Sequence, residues 1–371
     1  MESEKQLPDT IHKSPEVYFH TVLDTLRKIT GVDLSQDDES LLLIEAGKAC
    51  IVSGNWNKAL EIFQRAFKLT SSEETKAEAL KQMGHIKSKL CEWKEAYDFY
   101  RSSLEIYENS GNLSESGNIY NNLGFNHFEK GEMSKAKGYF YKALDIANEY
   151  NDAILMADTH SNLGIISNSQ GKLDETIQYY QKSIDSYKKA GDTHGLAQTY
   201  HNLGMTYAKK EEWKLAGECY QKSMDLCMDI GDNDLLSIIY INRSQLSLNL
   251  YDPSIAKVYC DKAFKIFQST ENKMGIAEVH KTYGMIYTQM KDWNSAEESF
   301  EKGLDICKKY DNLLTEAEIF FEKGMMNLER GDKMKALDYL RQAMESYKNL
   351  ELDEEVSRIE SKIQKVTSYY K

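Results

Sequence analysis

The chain has 371 residues, 41% hydrophobic and 28% charged, which is enough apolar material for a core and excludes wholesale disorder. With 46 Lys+Arg against 59 Asp+Glu the formal net charge is −13, so neither nucleic acid nor an anionic membrane, both of which call for a basic face, is an expected partner. Three prolines leave the backbone free for long helices. No run of about 18 apolar residues is present to span a bilayer. The opening Met1-Glu2-Ser3-Glu4-Lys5-Gln6-Leu7-Pro8 lacks the basic-then-apolar layout of a signal peptide. The cysteines Cys50, Cys91, Cys219, Cys227, Cys260 and Cys307 form no CxxC pair, which fits a reducing compartment better than a secreted disulfide framework. A cytoplasmic location is the expectation.

The first predicted element is a helix opening at Ser14-Pro15-Glu16, with Ser as cap and Pro in the first turn, and presenting Val17, Val22, Leu26 and Ile29 until Gly31. A repeat then takes over. Tyr120-Asn121-Asn122-Leu123-Gly124, His160-Ser161-Asn162-Leu163-Gly164 and Tyr200-His201-Asn202-Leu203-Gly204 recur every 40 residues. Gly47, Gly84, Ser244, Gly284 and Gly324 extend the register to eight units, with a single 37-residue step between Gly47 and Gly84. Twelve residues past each small residue stand Ala59, Ala96, Ala136, Thr176, Ala216, Ala256, Ala296 and Ala336. Four further on come Phe63, Tyr100, Phe140, Tyr180, Tyr220, Cys260, Phe300 and Leu340. Small and large residues alternating at helical spacing are what two closely crossing helices need. Each unit therefore reads as a helix A, a turn at Gly54, Gly131, Gly171 or Gly331, and a helix B. Pairs such as Gly111-Asn112 and Gly191-Asp192 end one unit and cap the next. Val356, Ile359, Ile363 and Val366 form one apolar stripe on a last predicted helix over 354–369.

On these residues the chain resembles the tetratricopeptide repeat proteins of the 40-residue variety, similar to kinesin light chain and the spindle-orientation scaffolds. The resemblance implies an all-α fold: an α-solenoid, a right-handed superhelix of about eight helix pairs with the A helices on its concave side. A solenoid needs its terminal units covered. The expected division is thus an N-terminal segment with a capping helix over 1–39, eight repeats over 40–353, and a C-terminal capping helix over 354–371. The N-terminal helix has a second reading, in which it docks into the groove and blocks it.

Residues that invite a chemical reading mostly have a packing one. Trp56, Trp93, Trp213 and Trp293 all sit nine residues after the small residue of their repeat, as expected for aromatics that start helix B and pack on helix A. His160 and His280 take a slot that tyrosine fills elsewhere, and no histidine has metal-ligand spacing. Cys219 and Cys260 stand at helix-B positions and are expected to be buried. With no GxSxG, P-loop or GxGxxG, neither enzyme activity, a metal nor a cofactor is expected.

One constellation is left. Asn122, Asn162, Asn202 and Asn242 stand two residues before the small residue of four successive A helices. The resemblance implies that this position faces the concave groove, where asparagine grips the backbone of an extended peptide. An amide side chain donates and accepts at once, so it matches a peptide unit. The other reading is that these asparagines bond across the A-helix layer. Of 24 groove positions carried over from the family in repeats three to six, only Glu129, Asp158 and Lys209 are charged. Phe125, Ile165, Met205 and Ile241 are among the apolar ones, and with the four asparagines they make up the candidate peptide-binding set. The family's clamp for chaperone tails is missing: its register reads Ile44/Lys48, Gln82 and Asn118/Asn122. The expected function is a non-enzymatic protein–protein interaction module for an extended peptide or disordered segment. The alternative is a peptide-regulated signalling regulator resembling the bacterial peptide-sensing repeat receptors, for whose N-terminal bundle residues 1–39 are short.

Overall fold

The computed structural model describes residues 34–368, and among these it contains seventeen α-helices and no strand. Contacts divide the chain into two compact units at Ala190–Gly191. The first holds α1 (Gln36–Val52), α2 (Trp56–Leu69), α3 (Glu73–Lys89), α4 (Trp93–Ser110), α5 (Leu113–Glu129), α6 (Met133–Tyr150), α7 (Ala153–Ser169) and α8 (Leu173–Ala190). The second holds α9 (Thr193–Lys209), α10 (Trp213–Ile230), α11 (Asn233–Asn249), α12 (Pro253–Ser269), α13 (Lys273–Gln289), α14 (Trp293–Tyr310), α15 (Leu313–Arg330), α16 (Lys333–Asn349) and α17 (Asp353–Ser368). Each unit is an α-solenoid of four A–B hairpins. The helix expected over 14–31 lies outside the described residues.

The boundaries follow from local chemistry. Gly111 and Gly231 take φ of +73° and +72°, which ends a B helix at no Cβ cost. The next residue then caps the following A helix: Asn112, Asp152, Asp192 and Asp232 each accept the backbone N–H three residues on, at 2.9 to 3.3 Å. Pro253 sits in the first turn of α12, where no N–H is needed.

Packing inside each hairpin rests on a small residue facing a large one sixteen positions later. A Cβ added to Gly84 would sit 2.7 Å from the Tyr100 ring, one on Gly124 would sit 2.6 Å from Phe140, and one on Gly284 would sit 2.2 Å from Phe300. The glycines thus admit rings that are almost fully buried, each worth about 1.5–3 kcal/mol of apolar transfer. Repeat six inverts the pair without losing the fit. Ser244 replaces glycine, Cys260 replaces the aromatic, and Ser244 Oγ donates to the Ala256 carbonyl at 2.8 Å. Buried serines of three B helices do similar work: Ser103, Ser183 and Ser223 donate to the carbonyls of Ala77, Ala157 and Ala197 at 2.7, 2.9 and 2.7 Å.

All four tryptophans open B helices and are half-buried, and Trp56, Trp213 and Trp293 join the clusters around Phe63, Tyr220 and Phe300. Cys219 and Cys260 are buried, and burial pushes the Cys219 thiol up to about 11. The helix α17 sets Val356 and Ile359 into a cluster with Leu340 and Tyr347 of α16 and Phe321 of α15. Within each unit neighbouring A helices approach backbone to backbone, whereas among the described residues neighbouring B helices meet only through long side chains, as where Tyr141 of α6 and Tyr179 of α8 bring their hydroxyls to 3.3 Å. Each unit therefore curves with its A helices on the inner side.

Candidate functional site

In the first unit Asn122 and Phe125 lie on α5, and Asn162 and Ile165 on α7. Helix period places each pair three residues apart on one face. Both asparagines and Ile165 are half-buried, while Phe125 is exposed and leans on Phe128 with ring centroids 6.3 Å apart. Asn162 Nδ2 donates to Asn121 Oδ1 on α5 at 3.0 Å, and Thr159 Oγ1 approaches the same oxygen at 3.3 Å.

The second unit keeps the three-residue spacing on α9 but not on α11, where Ile241 and Asn242 are consecutive. Asn202 and Met205 lie on α9, half-buried and exposed respectively. Asn242 and Ile241 lie on α11, where Asn242 is half-buried and Ile241 is only 4% exposed, inside the core cluster. Asn242 Nδ2 lies 2.7 Å from Nε2 of the buried His201 on α9. With the amide as donor, His201 is the neutral imidazole protonated at Nδ1. Burial supports that state, because it lowers the His201 pKa to about 4. Ile241 and Asn242 also line a cavity of about 520 Å³, with Ile238, Met274 and Thr315 around it.

Two of the four asparagines thus bond across the A-helix layer, to the residue 41 positions earlier. That bond takes one of two amide N–H groups and leaves the carbonyl oxygen with its lone pairs. The layer bond holds the side chain in place and leaves one amide N–H and the amide oxygen outside that bond.

Sequence reasoning passed over His201 and Asn121 as partners, and over the charged ends of the inner surface. In the first unit Lys81 of α3 is held by Glu78 at 2.5 Å and Glu115 at 2.9 Å. In the second, Lys281 of α13 is held by Glu278 at 2.7 Å and Glu318 of α15 at 2.5 Å. The signal was present as Glu-x-x-Lys at the same register in repeats two and seven, outside the repeats surveyed for the groove. No group of three or more metal-ligating side chains occurs among the described residues, and no described helix is long and apolar enough to cross a membrane.

A family model described as the tetratricopeptide repeat matches residues 75–149, 115–189, 155–229 and 275–349. A curated relative, the photosystem I assembly protein Ycf3 of Synechococcus sp. (strain CC9605), is 28% identical over 129 residues, 34% of this chain and 74% of that protein. Among solved structures, the apo form of RapI superposes with a TM-score of 0.61 at 15% identity, over 74% of this chain and 99% of its own. The Rap conjugation gene regulator of the plasmid pLS20, in complex with the Phr* peptide, superposes with a TM-score of 0.57 at 14% identity, over 84% and 81%. At these identities the likeness concerns the fold.

Proposed function

Because the chain belongs to the tetratricopeptide repeat family, we propose that it is a non-enzymatic interaction module whose A helices hold an extended peptide or a disordered segment of a partner protein. One observation carries this reading. Asn162 and Asn242 are fixed by layer bonds to Asn121 and His201 while each keeps an amide oxygen and one N–H for a ligand backbone. Side chains held in place beforehand lose little entropy on binding, which favours affinity. The exposed Phe125 and Met205 beside the asparagines supply apolar contact for alternate side chains of an extended chain.

A second reading, a signalling regulator controlled by a small peptide, draws support from the pLS20 regulator, a neighbour in fold solved with a peptide. It uses the same inner surface and differs in what binding does next. The test is recovery of partners from the source lysate by the wild type and by the Asn122/Asn162/Asn202/Asn242→Ala variant, identified by mass spectrometry. Partners that depend on the asparagines are expected, with circular dichroism unchanged. Equal recovery by both proteins would move the working surface away from the A helices.

A further inference from the structure

Beyond the asparagines, the inner surface of the second unit opens into another cavity, of about 480 Å³, a size that suits a side chain or small ligand. Its apolar wall includes Met285, Leu314 and Phe321, and Glu318 and Glu322 stand on the same wall. These two carboxylates are four residues apart on α15, so they share one helix face. Like charges at that spacing destabilise a helix unless something offsets them.

The offsets are unequal. Glu318 is matched by Lys281, which it shares with Glu278. Arg358 of α17, the other cation lining the cavity, is matched by Glu355 at 2.7 Å and lies over the Phe321 ring. Among the described residues, no cation lies within ion-pairing distance of the half-buried Glu322. The groups around it are Lys281 on α13, Glu318 on its own helix, Tyr347 on α16, and Arg358, Lys362 and Glu355 on α17. The cavity therefore joins an apolar wall to a carboxylate that, among the described residues, has no ion-pair partner and feels Lys281, Arg358 and Lys362 only from a distance.

We propose that this cavity receives a lysine or arginine side chain of the bound peptide, with its methylenes along Met285, Leu314 and Phe321 and its charged end on Glu322. Long basic side chains bury their stems on apolar surface and keep the charge at the tip, which is the division of chemistry found here. An inorganic cation would gain nothing from the apolar wall, and an acidic side chain would add a like charge beside Glu322. The proposal rests on the inner surface being the peptide site, and it names one side chain that this site selects.

Panning a random decapeptide library on the full-length wild type and on Glu322→Gln tests it. The wild type is expected to enrich Lys or Arg at one fixed position of the selected peptides. Glu322→Gln, which keeps shape and removes charge, is expected to lose that preference and keep the others. Selected peptides without a basic preference would overturn this inference while leaving the peptide site standing. Failure to select any peptide, or equal selection by the four-asparagine variant, would overturn both.

A second readout needs no variant. Burial raises the Glu322 carboxyl to about 7, and a bound cation favours its ionised form. Affinity of a selected basic peptide, read by fluorescence anisotropy, should then rise about tenfold from pH 6 to pH 8 as the competent carboxylate population grows. A pH-independent affinity would contradict the assignment.

Discussion

At the scale of the residue, function and stability meet at His201. Its imidazole is buried, accepts the Asn242 amide, and has its pKa lowered to about 4 by burial. The unfolded chain takes up the proton below about 6.5, whereas the folded chain stays neutral until about 4. Stability is therefore intact above pH 6.5 and is lost as pH falls toward 4, by up to about 3 kcal/mol from this one group. Denaturant unfolding of wild type and His201→Gln at pH 7 and pH 4.5 checks the sign: the wild type should lose more stability than the variant. An equal loss would mean that His201 is protonated without cost in the folded chain. Asn162→Ala, by contrast, removes one half-buried layer bond, worth about 1 kcal/mol, and leaves Thr159 on Asn121. The asparagine positions were legible in the sequence because they recur in register. Their partners were not, since the position 41 residues earlier holds Asn121 in one case and His201 in the other, and only the approach of two A helices pairs them.

At the scale of the element, the hairpin was legible almost to the residue, because its central small-on-large contact is made by two positions sixteen apart in one short stretch of chain. Gly284 under Phe300 and Ser244 under Cys260 are two solutions to one volume constraint. Gly284→Ser should cost about 1–3 kcal/mol through overpacking against the Phe300 ring. Phe300→Cys alone should cost about 3 kcal/mol by leaving a cavity. Combined, the two recreate the repeat-six arrangement, so the double variant should lose less than the sum by about 1 kcal/mol or more. Additive losses in thermal or urea unfolding would show that the two positions do not share space. Helix α17 was legible as an apolar stripe. That its Arg358 also lines the second cavity was not, because α17 meets α15 and α16 only in the folded unit.

At the scale of the whole molecule, the chain is two units of four hairpins each, in which stability comes from hairpins and from contacts between neighbours. Such an architecture offers many repeated inner positions and leaves selectivity to whichever side chains depart from the repeat. The low charge of the middle repeats could be counted from the sequence. The ion pairs that flank them join residues 34 and 37 positions apart, as in Lys81–Glu115 and Lys281–Glu318, and no local pattern reveals which carboxylate is left over. The helical hairpins were therefore readable from periodicity, the solenoid from the family resemblance that the repeat residues carry, and the chemistry of the A helices only from the folded units. The central claim is that this surface grips a peptide backbone through its asparagines. It is tested most directly by fluorescence anisotropy of a library-selected peptide with wild type and the Asn122/Asn162/Asn202/Asn242→Ala variant, both shown to be folded. At about 1 kcal/mol for each lost bond, affinity should fall by about a hundredfold or more. Unchanged affinity in a folded variant would contradict the account.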